Sequence, residues 1–117
     1  MRQSKPSHEA EHYVGEYFAA IGEPMRLRIL TSLGTNEKSV SRIVKELETS
    51  QPNVSKHLKV LWQMGFVVRR NEGTYSYYRL ADDTVLKLIS AVRKRMAIRA
   101  ERQRDLLSPC LNRFDDH

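Results

Sequence analysis

The 117-residue chain has one cysteine, Cys110, so no disulfide can brace it internally. No apolar run approaches the ~20 residues of a membrane span. The start, Met1-Arg2-Gln3-Ser4-Lys5, leads into no apolar signal core. The expected location is the cytoplasm, with no membrane partner. Glycine and proline are sparse, 5 and 4 residues, which excludes collagen-like and low-complexity chains and favours a globular one. There is no Gly-rich phosphate loop and no Ser/His/Asp or Cys/His grouping. Asp82-Asp83 is a pair of carboxylates placed like a helix cap. The expectation is therefore no enzyme and no cofactor.

Basic charge is present in excess. The net charge is +6, which favours a polyanionic partner. Its distribution is uneven: residues 1–23 are acidic overall, whereas residues 24–80 and 84–104 each carry net +6. Two basic blocks between acidic stretches suit a DNA-binding body followed by a basic helix.

The length suits one domain, and no linker or repeat divides it. Residues 1–8 and 108–117 are expected to be flexible tails. Tyr13, Val14, Tyr17, Phe18 and Ile21 have helical spacing, ended by Gly22. Pro24 suits the first position of a second helix, which reaches Leu33 before the breakers Gly34-Thr35-Asn36. Ser39 can cap a third helix with Val40, Ile43, Val44 and Leu47 on one face. Ser50 can cap a fourth, carrying Pro52 in its first turn and stopping near Gly65.

The period then changes. Residues 66–71 and 74–80 are rich in valine, tyrosine and threonine around Glu72-Gly73, a hairpin pattern. A last helix is expected from the Asp82-Asp83 cap to about Leu107, with Pro109 preventing its extension. The expected fold is mainly α with a β-hairpin wing, in the order α-α-α-α-β-β-α. Two helices joined by a tight turn and followed by a basic hairpin describe a winged helix-turn-helix.

A B-DNA major groove, roughly 12 Å wide, accepts one α-helix, whose N-terminal part meets the base edges. If Val54, Leu58 and Leu61 form the buried stripe of the fourth helix, Pro52, Asn53, Ser55, Lys56, Lys59 and Gln63 fall on its open half. Gln51 sits at the helix start. Amides suit bidentate contact to adenine, lysines suit phosphate or guanine, and a hydroxyl suits either. Arg69, Arg70 and Arg79 on the hairpin can lie along the phosphate backbone or in the minor groove. The competing reading is that they only protect an edge strand. Tyr75, Tyr77 and Tyr78 alternate as packing and cross-strand pairs. His57 turns toward the buried side and is expected to serve the fold.

Glu23-Pro24-Met25-Arg26-Leu27-Arg28-Ile29-Leu30, the stretch from Ser50-Gln51-Pro52-Asn53 to Ser55-Lys56-His57-Leu58-Lys59-Val60-Leu61, and Gly73-Thr74-Tyr75-Ser76-Tyr77-Tyr78-Arg79-Leu80 together resemble the ArsR family of bacterial repressors. The resemblance covers about residues 12–98. It implies a homodimer built largely from the first and last helices, and repression of an operon relieved by an effector. The stripe Val85, Leu88, Ile89, Val92 and Met96, with Tyr13 and Tyr17, is the expected dimer interface. The expected partners are thus double-stranded operator DNA and a second copy of the chain.

Soft-metal members of that family place Cys-x-Cys at the start of the third helix, where this chain has Ser39-Val40-Ser41. Zinc-type ligand positions read Asp82, Thr84, Arg95 and Ile98 here. No metal site is expected. Cys110 is the candidate sensing thiol: Arg113 nearby would favour its thiolate, and a disulfide switch would have to link two subunits. A metal held by two Cys110 with His117, or an inert cysteine, are the alternatives. A winged-helix protein-interaction module and a nonspecific architectural DNA binder are the rival functions.

Overall fold

The computed structural model describes residues 8–111, with side chains described through residue 104. Contacts divide the chain into two units, residues 1–83 and residues 84–117.

In the first unit, α1 (His8–Ile21) and α2 (Pro24–Leu33) flank the Gly22 corner. Pro24 stands at the start of α2, where a missing N–H costs nothing, and the Glu23 carboxylate accepts the Arg26 N–H at 2.9 Å. A short strand, β1 (Lys38–Ser39), leads into α3 (Val40–Leu47). Ser39 caps α3 by accepting the Arg42 N–H at 3.2 Å. Glu48 then turns the chain with φ +52, a left-handed conformation unusual for a residue with a side chain. Next come α4 (Gln51–Gln63) and the strands β2 (Val67–Glu72) and β3 (Tyr75–Leu80).

The sheet has the order β1-β3-β2, antiparallel throughout. The two-residue β1 departs from the expected order, because two residues carry no period for a sequence to show. The hairpin loop is Gly73-Thr74, one position beyond the expected Glu72-Gly73, because Glu72 still pairs with Tyr75. Gly73 has φ +61, the value that a two-residue hairpin loop demands of its first position and glycine supplies freely.

The core of this unit is Ile29, Leu30 and Leu33 of α2, Ile43 of α3, Val54, Leu58 and Leu61 of α4, and Val67 of β2. Tyr17 packs against Phe66 with ring centroids 4.5 Å apart and the rings tilted by 50°. Tyr78 is also buried, in keeping with packing rather than base stacking. Together these contacts fix α4 on one side and leave its other side open.

The second unit is α5 (Thr84–Leu111). It continues through residue 109 to Leu111, past the end that Pro109 was expected to impose. A proline removes one helix hydrogen bond, yet a helix can pass through it with a local adjustment. Among the described residues, no helix is long and apolar enough to cross a membrane.

Candidate nucleic-acid interface

The start of α4 is built from local chemistry. The Ser50 hydroxyl accepts the Asn53 N–H at 3.2 Å, and Pro52 fills the first turn. The remaining N–H groups of that turn and the helix dipole give the end a partial positive charge. Pro52, Ser55, Lys56, Lys59 and Gln63 are exposed away from the buried Val54, Leu58 and Leu61, and Gln51 is exposed at the helix start, nearer that stripe.

Asn53 differs from its expected place on the open half. It is half-buried, and its Nδ2 donates to Thr49 Oγ1 at 3.0 Å. The turn before α4 supplies a hydroxyl within reach, so part of its amide serves the fold.

His57 is buried in the middle of the same helix. Its Nδ1 lies 3.5 Å from Arg26 Nη1 and 3.6 Å from the Glu23 carboxylate. Burial pushes its pKa down, outweighing the carboxylate, so at neutral pH the ring accepts from Arg26. Arg26 also donates to the carbonyls of Ala19 and Ala20 at the end of α1. His57 therefore docks the inner side of α4 onto the α1–α2 corner.

The three wing arginines are separated by the alternation of the strands. Arg69 lies over the Trp62 ring, 4.6 Å from its centroid. Arg70 faces the other way, 4.7 Å over Tyr77, with Glu37 at 2.7 Å and Glu72 at 2.6 Å. Those two carboxylates hold the Arg70 pKa well above its usual value. Its charge is matched within the chain, so Arg70 ties the wing to the loop before β1. Arg79 is exposed, and its Nη1 donates to the Leu80 carbonyl at 3.4 Å. Trp62, 43% exposed, carries no expectation from sequence, because its position beside the buried stripe resembles that of a core residue.

A second charged cluster lies where α2, β1 and α3 meet. Lys38 is buried, and its Nζ donates to Glu46 at 2.7 Å and to the Ser32 carbonyl. Glu46 also accepts from Ser32 Oγ at 2.8 Å and from Arg42 Nε at 2.9 Å. These donors, Lys38 first, hold the Glu46 carboxyl down at about 2.

The positions that soft-metal ligands take in the resembled family hold hydroxyls here. Ser39 Oγ accepts the Arg42 N–H and lies 3.2 Å from Ser41 Oγ, and serine hydroxyls do not replace thiolates for soft cations. Among the described residues, no group of three or more His, Cys, Asp or Glu could hold a metal ion. The side chain of Cys110, like His117 and Arg113, falls outside the described residues.

Of the expected interface residues, Tyr13 on α1 is 60% exposed and Tyr17 is half-buried. On α5, Val92 and Met96 are exposed, Leu88 and Ile89 are half-buried, and Val85 is buried.

Residues 23–68 match the model of the bacterial regulatory protein family arsR. An uncharacterized helix-turn-helix transcriptional regulator of Methanocaldococcus jannaschii is 42% identical over 78 residues, 66% of this chain and 88% of that protein. The transcriptional repressor SmtB of Mycobacterium tuberculosis is 33% identical over 84 residues, 72% of this chain but only 62% of its own length. Among solved structures, NolR from Sinorhizobium fredii superposes with a TM-score of 0.71 at 29% identity, covering 80% of this chain and 94% of that one. A homodimeric winged helix-turn-helix DNA-binding domain from Mycobacterium bovis superposes with a TM-score of 0.70 at 29% identity, covering 83% and 90%. The chain belongs to the arsR family: it is a winged helix-turn-helix transcriptional regulator that binds DNA, and not an enzyme.

Proposed function

We propose that the chain is a homodimeric repressor that lays α4 in the major groove of a near-palindromic operator and leaves it when an effector binds. The observation that carries this reading is the exposed row Gln51, Pro52, Ser55, Lys56 and Lys59 on a helix whose other side is fixed by Val54, His57, Leu58 and Leu61. Gln51 and the remaining acceptor of Asn53 read base edges. Ser55, Lys56 and Lys59 take phosphates or guanine, and Pro52 packs close to the groove wall. Arg69 and Arg79 extend the contact to the backbone, while Arg70 braces the wing.

The dimer reading is supported by exposed apolar side chains on two helices. Tyr13, Val14 and Phe18 on α1 are each more than half exposed, as are Val92 and Met96 on α5. Tyr17, Leu88 and Ile89 supply the half-buried margin of the same surfaces. A second copy covers such surfaces economically, and the M. bovis domain assembles as a homodimer. Replacing Val92 by Glu is expected to shift sedimentation to the monomer and abolish tight operator binding. Cys110 is the candidate sensing thiol, and derepression that survives Cys110→Ser removes both thiol and Cys-metal sensing.

The test compares a duplex carrying the DNA upstream of the gene with a random duplex at one salt concentration. Specific recognition predicts ~10³-fold or tighter preference. Gln51→Ala is expected to relax the preference at particular base pairs by about 1–3 kcal/mol. Equal losses on both duplexes would exclude base reading and leave an architectural binder. No binding to either would leave an interaction module.

A further inference from the structure

At 100° per residue, Gln51, Ser55, Lys59 and Trp62 fall within about 80° of one another around α4. They form one row from the start of the helix to its end, and all four are exposed. Trp62 thus ends this row, at its edge beside the buried stripe, and its indole is 43% open to solvent. The next group in that direction comes from the wing. Arg69 places its guanidinium 4.6 Å above the indole centroid, well inside the ~6 Å reach of a cation–π contact.

Arg69 is also in a different state from its neighbour. Arg70 is held by Glu37 and Glu72. Among the described residues, no carboxylate pairs with Arg69. A planar cation stacked on an aromatic face keeps its in-plane N–H donors free, and its orientation is set before a ligand arrives. Less side-chain freedom is then lost when a phosphate binds.

We propose that Trp62 is a positioning residue for DNA binding: its ring holds the Arg69 guanidinium at the end of the α4 row, where it takes one phosphate of the duplex backbone. The proposal rests on the reading that α4 faces a duplex. Trp62 itself reads no base and makes no other contribution.

The test uses the full chain and a random-sequence duplex, because a phosphate contact is independent of sequence, with affinity followed against salt. Arg69→Gln flattens the slope of log K against log salt by about 0.9, the signature of one lost phosphate contact. Trp62→Leu weakens binding about 3-fold, and Trp62→Phe recovers most of that loss, since a phenyl face still attracts the cation. The double variant binds no more weakly than Arg69→Gln alone, because both changes remove one contact. Trp62 is the sole tryptophan, so its emission reports directly: it changes when duplex is added to the wild type and changes less with Arg69→Gln.

If Trp62→Leu fails to fold, the Arg69→Gln slope and the Trp62 emission decide the matter. The proposal is overturned if Lys59→Ala weakens binding while Arg69→Gln leaves the slope unchanged and duplex leaves the emission unchanged. If the wild type does not bind duplex at low salt, the reading of α4 falls as well.

Discussion

The corner where α2, β1 and α3 meet and the outer face of α4 hold similar side chains in opposite states. At the corner, Lys38 is buried and Glu46 gathers donors from Lys38, Ser32 and Arg42. On α4, Lys56 and Lys59 stand exposed beside Gln51 and Ser55. The same contrast recurs within the wing, between Arg70, clamped by two carboxylates, and Arg69, stacked on an indole. Net charge alone does not separate these roles. A cation matched inside the chain builds the fold, and a cation left unmatched on a rigid element is available to a polyanion.

The contrast can be broken from either side. The largest effect is expected for Leu58→Ala, on the inner side of α4. This side chain is fully buried, and its loss should cost about 2–5 kcal/mol of stability in urea denaturation. A cost below about 1 kcal/mol would mean the inner side of α4 is not the packed one.

Glu46→Gln should come next, lowering the melting temperature at neutral pH by leaving Lys38 buried without its carboxylate. The sign of its pH dependence follows from the lowered pKa. Glu46 is held at about 2 against its usual 4.5. Its contribution is therefore complete above pH 4.5 and disappears as pH falls through about 2. The gap between wild type and Glu46→Gln should close over that window, and a gap constant with pH would show that the charge is not its source.

Lys59→Ala should act in the opposite sense. Stability should stay within about 0.5 kcal/mol, while the salt slope of duplex binding flattens by about 0.9. The smallest effect concerns the turn between α3 and α4. Glu48→Gly relieves a left-handed residue, offset by the entropy glycine loses, and should raise stability by about 0.5–1 kcal/mol or less. A loss of stability would show that Glu48 makes contacts worth more than the relief.

The features legible in the sequence are those set locally. Ser50 and Pro52 announce the start of α4 because capping and proline geometry act within one turn. Val54, Leu58 and Leu61 announce its inner side by spacing. Spacing alone does not fix the inner side of α2: Ile29, Leu30 and Leu33 lie in the core, while the equally apolar Met25 and Leu27 are half-buried, because neighbouring helices decide how far the buried arc extends.

What the sequence could not show depends on partners distant in the chain. Glu37 and Arg70 meet across 33 positions, which no local pattern encodes. Lys38 is buried although lysine is nearly always exposed, because a carboxylate and a serine are brought to it by folding. Asn53 is drawn toward Thr49 by the geometry of the turn, and Trp62 gains its meaning only once the wing places Arg69 above it. In the hairpin, composition placed the strands correctly, but the register of Glu72 against Tyr75 moved the loop by one residue.

The most direct test of the central claim is selection of binding sites by the full-length protein from a pool of random duplexes. The account predicts enriched sequences with two near-palindromic half-sites about one helical turn, ~34 Å, apart, bound ~10³-fold more tightly than the starting pool. Binding without an enriched motif, or an enriched motif lacking two-fold symmetry, would contradict it.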